Sequence, residues 1–264
     1  MLEALTKKKK SKLITNEIIN FTTKQLVTLD TWIKQQVEEK MPLQYLLGSV
    51  PFDDIEILVE APILIPRPET EEMCYNILDM LHKLDDKKLS ILDIGTGTGC
   101  IALTIAKALP KSTILATDLE ERALQLAEKN ADHNNIKNVT FLKSDLYESI
   151  EKNLTFDLIV SNPPYIAQEE WEALDESVTK WEDKKALVAD NKGLAIIAAI
   201  VTQSAPFIKK NTQMKQHKIP QLIIEIGHNQ GKEVAKIFAT AGFQDIKVEK
   251  DMEGKDRFVS GRIK

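Results

Sequence analysis

Ser90-Ile-Leu-Asp93-Ile-Gly95-Thr-Gly97-Thr-Gly99 is the stretch from which the rest of the chain can be read. An apolar run enters a turn made of alternating glycine and threonine. A helix-like segment, Cys100–Ala108, follows directly. Strand, glycine turn and helix in this order open a parallel α/β unit, and ligands of such sheets bind beyond the carboxyl ends of the strands. Glycines there give the turn its conformational freedom and let a ligand approach the backbone. The spacing is Gly-x-Gly-x-Gly. A dinucleotide fingerprint would place its third glycine at position 100, which is cysteine, and no Gly-Lys-Ser/Thr follows to make a phosphate loop. A tight structural turn is the competing reading of this stretch taken alone.

Working outward, the alternation continues. Apolar, strand-like runs are Leu89–Ile94, Thr113–Thr117, Val139–Leu142, Leu158–Val160 and Leu222–Ile226, with helix-like segments at Cys100–Ala108, Glu121–Asn134, Leu146–Lys152 and Gly193–Ile208. This predicts a mostly parallel sheet with helices on both faces. A helix over 231–241 is followed by Phe243–Glu249 and Arg257–Arg262, joined by Asp251-Met-Glu-Gly254. Two strands joined by a short turn are antiparallel, so the C-terminus should add one reversed strand. Upstream, a helix is expected over 69–84, and Ile55, Ile57 and Val59 alternate with polar residues before Ile63-Leu-Ile65, as a short hairpin would. From Leu13 to Met41 apolar residues recur at three- and four-residue steps, which favours one or two amphipathic helices ending at Pro42. Asn211–Ile219 is polar and reads as a surface loop. The expected division is a helical region over 1–48, a hairpin linker over 49–68 and an α/β domain over 69–264.

Composition narrows the classes. The 264 residues carry 35 Lys plus Arg and 40 Asp plus Glu, for a net charge of −5. Residues 1–48 hold +3, including the run Lys7–Lys10, and residues 49–264 hold −8. An acidic body is a poor landing surface for a bare phosphate backbone. The basic run is either a nucleic-acid arm or a solvated, frayed terminus. Two cysteines, Cys74 and Cys100, cannot make a disulfide framework, so a reducing, cytoplasmic setting is the expectation. The longest apolar run, Leu194–Val201, is too short to span a bilayer.

Candidate binding residues lie at successive strand ends. Asp118 follows the second strand, where a carboxylate can accept hydrogen bonds from both ribose hydroxyls; it could equally cap the next helix. Asp145 could accept from an adenine amino group and Leu146 could cover the ring face, although Asp145 taken alone reads first as a cap. The most specific signal is Asn162-Pro163-Pro164-Tyr165 after the fourth strand. Successive prolines remove backbone donors and fix the turn, leaving carbonyl oxygens free to accept. The Asn162 side-chain oxygen is a further acceptor. Two acceptors aimed at one NH2 group orient its nitrogen, and Tyr165 can stack on or cap a planar group. The arrangement suits methylation of a planar –NH2, whether amide or nucleobase amine.

These stretches together resemble a known family. The chain is similar to the class I S-adenosylmethionine-dependent methyltransferases, and within them to the release factor glutamine methyltransferases, from about residue 42 onward. The likeness rests on Pro42-Leu-Gln-Tyr45-Leu-Leu-Gly48, Leu64-Ile-Pro-Arg67-Pro-Glu69-Thr70-Glu71, Leu92-Asp-Ile-Gly-Thr-Gly-Thr-Gly99, Ser161-Asn-Pro-Pro-Tyr165, Glu225-Ile-Gly227 with Gln230-Gly231, and Asp256-Arg257. It implies a seven-stranded Rossmann-like sheet with an N-terminal helical region and a β-hairpin. It implies that Gly95, Thr96, Gly97, Thr98 and Gly99 hold the methionine part of the cofactor, with Asp118 on the ribose and Asp145 and Leu146 near the adenine. Asn162 would contact both cofactor region and substrate, and Asn162, Pro163, Pro164 and Tyr165 would receive the side chain of a glutamine. The implied substrate is the glutamine of a Gly-Gly-Gln loop in peptide chain release factors, with N5-methylglutamine and S-adenosylhomocysteine as products. Arg67 and Glu69 border the site in a supporting role; a salt-bridged hinge is their competing reading. The N-terminal region is shorter than the family usually carries.

The chemistry expected from this resemblance is an in-line displacement that needs no metal and no covalent intermediate. An amide nitrogen is a poor nucleophile, so Asn162 Oδ1 and the Pro163 carbonyl would accept its two hydrogens and weaken amide resonance. Positioning could supply on the order of 7–11 kcal/mol. Two other readings stay open on the sequence. One is a nucleic-acid amino-methyltransferase, which would need a basic surface for a flipped base. The other is a cofactor-binding subunit without activity, which would be expected to lack the tetrapeptide. No membrane and no direct nucleic-acid substrate are expected as partners.

Overall fold

The computed structural model describes residues 1–7, 20–84 and 88–263. Most of the basic run and the apolar positions Leu13, Ile14, Ile18 and Ile19 of the expected N-terminal helices lie outside the described residues. Of that region, α1 (Leu2–Thr6) and α2 (Thr23–Val37) are seen. Thr22 opens α2 with a capping box: its hydroxyl accepts from Gln25 N while Gln25 Oε1 accepts from Thr22 N. Gln25 Nε2 also donates to the Leu5 carbonyl at 2.7 Å, tying α1 to α2. A short helix, α3 (Leu43–Leu47), comes next.

The hairpin pairs β1 (Ser49–Phe52) with β2 (Ile55–Leu58), with Val50 opposite Ile57 and Phe52 opposite Ile55. Ile63–Ile65, expected as part of it, forms no strand. Ile63 N instead closes a turn onto the Glu60 carbonyl at 2.9 Å, and prolines 62 and 66 bound the run on either side. Phe52, Ile55, Ile57 and Val59 are buried in the main core, so the hairpin packs as part of the sheet domain.

Helix α4 (Pro68–Leu81) starts with Pro68 in its first turn, where a missing N–H costs nothing. It ends three residues before the expected 84. Its buried stripe is Thr70, Met73, Cys74, Ile77, Leu78 and Leu81. After it come β3 (Ser90–Ile94), α5 (Cys100–Ala108), β4 (Thr113–Asp118), α6 (Glu121–His133), β5 (Val139–Lys143), β6 (Leu158–Ser161), α7 (Ala195–Gln203), α8 (Thr212–Gln216), β7 (Leu222–Glu225), α9 (Gly231–Thr240), β8 (Phe243–Lys250) and β9 (Asp256–Ile263). The seven-stranded sheet runs β5-β4-β3-β6-β7-β9-β8. β9 runs against both neighbours and is the one reversed strand, as the C-terminal turn predicted. The fold is the expected doubly covered, mostly parallel sheet.

The central strands β3, β6 and β7 read as largely apolar runs because both faces are buried, whereas β5 and β8 at the sheet edges carry exposed residues. Ile91 and Leu92 are both fully buried, one in the cluster under the hairpin, α4 and α5, the other in the cluster under α7 and α9. The same alternation places Ile223 under α4 and Ile224 on the far side. Glu225 therefore shares the Ile223 face, and β7 delivers a carboxylate under the first turn of α4.

Three expectations fail locally. Residues 146–152 form turns rather than a helix, because Leu146 takes a left-handed φ of 47°. The helix expected over 193–208 is shorter: α7 ends at Gln203, and a 3-10 turn at Ala205–Phe207 carries Pro206. Asn211–Ile219 is not a loop: Asn211 Oδ1 caps α8 and Met214 is fully buried. Between β6 and α7, a long segment of 3-10 and helical turns covers the sheet edge, joined to itself by a bridge between Ile166 and Val188.

Candidate active site

Because β3, β4, β5, β6 and β7 are parallel, their carboxyl ends share one edge, and the expected site residues follow those ends. The glycine loop turns back against β4, with Gly95 N and Thr96 N both donating to the Thr117 carbonyl at 2.9 Å. Gly95 and Gly97 have φ of 71° and 57°, and a Cβ at either would meet nothing within 4 Å. The loop thus leaves open space against bare backbone. Thr96, Thr98 and Gly99 lie behind that surface. Thr96 Oγ1 donates to Asp93 Oδ2 at 2.6 Å, the Thr98 carbonyl accepts from Asn130 Nδ2, and a Cβ on Gly99 would press on Ala127 at 3.1 Å.

Asp118 Oδ2 accepts from Gly97 N at 2.8 Å and its Oδ1 from Glu120 N at 2.9 Å. Helix α6 begins at Glu121 with Glu120 as its cap, so Asp118 braces the loop and does not cap the helix. A carboxylate has about four acceptor sites, so each oxygen retains one for a ligand hydroxyl. Burial raises its pKa above the ordinary value. Asp145 is exposed and caps no helix, and Leu146 is half-buried beside it. Gly95, Gly97, Asp118, Asp145, Leu146 and Asn162 come together on a cleft of about 340 Å³. That lies within the range of small-molecule sites.

A narrower slot adjoins it, lined by Asn162, Pro163, Pro164 and Tyr165 with Leu64, Arg67, Ala186 and Leu187. Asn162 lines both spaces. Its Nδ2 donates to Thr70 Oγ1 at 2.9 Å, and Thr70 Oγ1 donates to Glu225 Oε2 at 2.7 Å. Tyr165 OH donates to Glu225 Oε1 at 3.5 Å, a long bond. Among the described residues no donor reaches Asn162 Oδ1, and no backbone donor reaches the Pro163 carbonyl. Gln230 fixes the far end of the tetrapeptide. Its Nε2 donates to the Tyr165 and Lys192 carbonyls at 2.8 and 3.1 Å, while its Oε1 accepts from Gly227 N.

Arg67 and Glu69 do not pair with each other. Arg67 Nη2 donates to both carboxylate oxygens of Glu182, at 2.7 and 2.6 Å. Glu182 is only 5% exposed, and burial outweighs Arg67 in setting its pKa, which is raised. This pair, with Asp183 N donating to the Pro62 carbonyl, holds the segment after β6 over the slot. Arg67 also lines an outer groove of about 420 Å³ against Lys40, Met41 and Pro42. Glu69 sits half-buried in the first turn of α4 and lines neither the cleft nor the slot. Sequence reading did not find the roles of Thr70, Glu182, Glu225 and Gln230. Thr70, Glu225 and Gln230 stand in the quoted motifs, but, Gly227 apart, their side-chain partners are 38 to 155 residues away.

Burial pushes the Glu225 carboxyl up to about 7 from 4.5, against the opposing effects of Thr70 and Arg257. Asp93 is likewise raised to about 7 by burial. A carboxyl whose folded pKa exceeds its unfolded pKa holds its proton longer in the folded state. Its contribution to stability is therefore complete below about 4.5 and is lost as pH rises through about 7. For Glu225 the loss is on the order of 3 kcal/mol. Glu225→Gln cannot ionise, so its melting temperature at pH 8 should exceed that of the parent. The gap should close by pH 5, as thermal melts across that range would reveal.

A family model described as the methyltransferase small domain matches residues 76–213. The chain is 39% identical over 240 residues to the release factor glutamine methyltransferase of Lactococcus lactis subsp. lactis, covering 90% of this chain and 83% of that protein. It is 34% identical over 261 residues to the release factor glutamine methyltransferase of Flavobacterium psychrophilum, covering 98% and 88%. Among solved structures, a methyltransferase from Pyrococcus furiosus aligns with a TM-score of 0.56 at 16% identity, covering 92% of this chain and all of that one, a likeness of fold.

Proposed function

As the chain belongs to the release factor glutamine methyltransferases, we propose that it transfers a methyl group from S-adenosylmethionine to the side-chain amide nitrogen of the glutamine in a Gly-Gly-Gln loop of a peptide chain release factor. The observation that carries this reading is the state of Asn162. Its NH2 is already committed to Thr70, so its oxygen is the free end, beside the unpartnered Pro163 carbonyl and at the junction of cleft and slot. Two acceptors on adjacent residues that line both cavities suit a primary amide, whose two N–H groups each need a partner.

The residues present fit the cofactor. The open backbone at Gly95 and Gly97 accommodates a chain lying against it, and Asp118 keeps acceptor capacity for a ribose diol. Leu146 offers an apolar surface for a ring and Asp145 an acceptor at its edge. When bound, S-adenosylmethionine supplies an electrophilic sulfonium methyl and leaves as S-adenosylhomocysteine. Asn162 Oδ1 and the Pro163 carbonyl would orient the substrate nitrogen and raise its electron density by accepting its two hydrogens, one of which is lost as a proton to water after the N–CH3 bond forms and the S–CH3 bond breaks. Pro163 and Pro164 hold those acceptors rigid. The segment held by Arg67 and Glu182 covers the slot and excludes water, while the outer groove beside Arg67 and the N-terminal helical region over 1–48 would receive the rest of the release factor. The hairpin over 49–68 connects that region to the transferase domain over 69–264.

The test is to incubate the protein with methyl-labelled S-adenosylmethionine and, separately, with a release factor or with nucleic acid. Label should appear on the Gly-Gly-Gln glutamine and should vanish when that glutamine is replaced. Label confined to nucleic acid would overturn the reading, and no label on either would point to a binding subunit.

A further inference from the structure

We propose that Thr70 and Glu225 form a one-way hydrogen-bond relay that sets which end of the Asn162 amide faces the substrate. The inference rests on the reading that Asn162 Oδ1 receives the substrate amide. A side-chain amide has two ends of nearly equal shape and opposite hydrogen-bonding sense. If it were turned over, Asn162 would present two donors to a substrate NH2, and the site would repel what it must bind.

The direction of the relay is fixed at its buried end. Glu225 is 1% exposed and Thr70 is 2% exposed. In its ionised form the Glu225 carboxylate can only accept, so above about pH 7 the Thr70 hydrogen points to Glu225 Oε2. The Thr70 oxygen is then left as an acceptor, and the only donor Asn162 can offer it is Nδ2. Oδ1 is turned outward as a consequence. The same carboxylate takes the Tyr165 hydroxyl on its other oxygen, so both ends of the tetrapeptide refer to one buried charge. The sheet and α4 account for the placement: Glu225 falls on the Ile223 face of β7, and Thr70 lies one turn ahead of Cys74 on the buried stripe of α4. Neither residue lines the cleft or the slot, so they are positioning residues and not catalytic ones.

The experiment compares Thr70→Val, Thr70→Ser, Glu225→Leu and Asn162→Ala in full-length protein, measuring kcat on a release factor, KM for each substrate and calorimetric affinity for S-adenosylmethionine. Thr70→Val keeps the shape and removes the relay; kcat should fall tenfold or more, with cofactor affinity within about twofold. Thr70→Ser keeps the hydroxyl and should retain at least half of kcat. A Thr70→Val protein within twofold of the parent, alongside an inactive Asn162→Ala, would overturn the relay and leave the amide reading standing. Equal losses in Thr70→Val and Thr70→Ser would also overturn it, since packing would then explain both. A fully active Asn162→Ala would remove the amide reading itself. Should Thr70→Val fail to bind cofactor, Glu225→Leu decides, since the Glu225→Gln amide oxygen can still accept from Thr70 whereas leucine offers no acceptor; an unchanged kcat in Glu225→Leu overturns the proposal.

Discussion

Asn162→Ala is expected to lower kcat on the order of 10³-fold while leaving the affinity for S-adenosylmethionine within a few-fold of the parent. The asymmetry follows from where the contacts lie. The cleft proposed for the cofactor is lined by the glycine loop, Asp118 and the turn at Leu146 among others, and Asn162 is one residue of many on its wall. In the slot, by contrast, Asn162 Oδ1 is one of the two acceptors, with the Pro163 carbonyl, proposed to hold a substrate NH2. Preorganised hydrogen bonds aimed at a reacting group are each worth about 10²–10³ in rate when removed. Here the loss also frees the substrate nitrogen to rotate, which forfeits part of the roughly 7–11 kcal/mol that positioning can supply. Truncation further strips Thr70 Oγ1 of its Asn162 donor inside the core, so a modest stability loss of about 1–3 kcal/mol should accompany the kinetic one. Single-turnover measurements at saturating cofactor, with calorimetric titration in parallel, separate the two effects. Near-normal turnover would mean that another group orients the amide.

How far such a site could be foreseen depends on the range of the interactions that build it. The central strands of the sheet were legible because they are buried on both faces, so Leu158–Val160 reads as an uninterrupted apolar run and Leu89–Ile94 as one broken only by Ser90 and Asp93, each ending within one residue of the observed strand. The glycine loop and the Asn-Pro-Pro-Tyr turn were legible because their chemistry is local, a matter of backbone freedom and missing donors. Elements with weak local signals were misread. Ile63–Ile65 looked like a strand, although Ile63 N turns back onto the Glu60 carbonyl. Met214 is one buried residue in a polar stretch and cannot reveal a helix by periodicity. Tyr147 and Ile150 are both buried and spaced like a helix, yet the left-handed Leu146 turns them into a compact bend. The polar framework behind Asn162 was illegible for a different reason. Thr70 and Glu225 lie 155 residues apart, and Arg67 and Glu182 lie 115 apart. Only the sheet order and the face of α4 bring such pairs together, and no spacing rule along one chain encodes that.

Gly193→Ala should be the most damaging small substitution outside the tetrapeptide, lowering stability by more than about 3 kcal/mol and kcat by at least about 100-fold. Gly193 has a φ of 79°, a region that disfavours any side chain. Its neighbours make the position far worse: a Cβ there would overlap the carbonyl oxygen and carbon of Tyr165 and come within 2.8 Å of Gln230 Nε2. A backbone carbonyl cannot swing aside as the end of a long side chain can. This carbonyl is also the acceptor for Gln230, which in turn binds the Lys192 carbonyl and Gly227 N. The added methyl therefore has to push apart the clamp that seats Tyr165, and the displacement passes directly into the slot. Gly242→Ala provides the comparison, because Gly242 has a φ of 91° but open space where a Cβ would stand. It should show only the conformational cost, about 1–2 kcal/mol, with turnover unchanged. Urea midpoints and kcat for the two variants isolate the steric contribution at Gly193. If both variants unfold at the same midpoint and turn over equally, the close approach of Gly193 to Tyr165 is not what holds the end of the tetrapeptide in place.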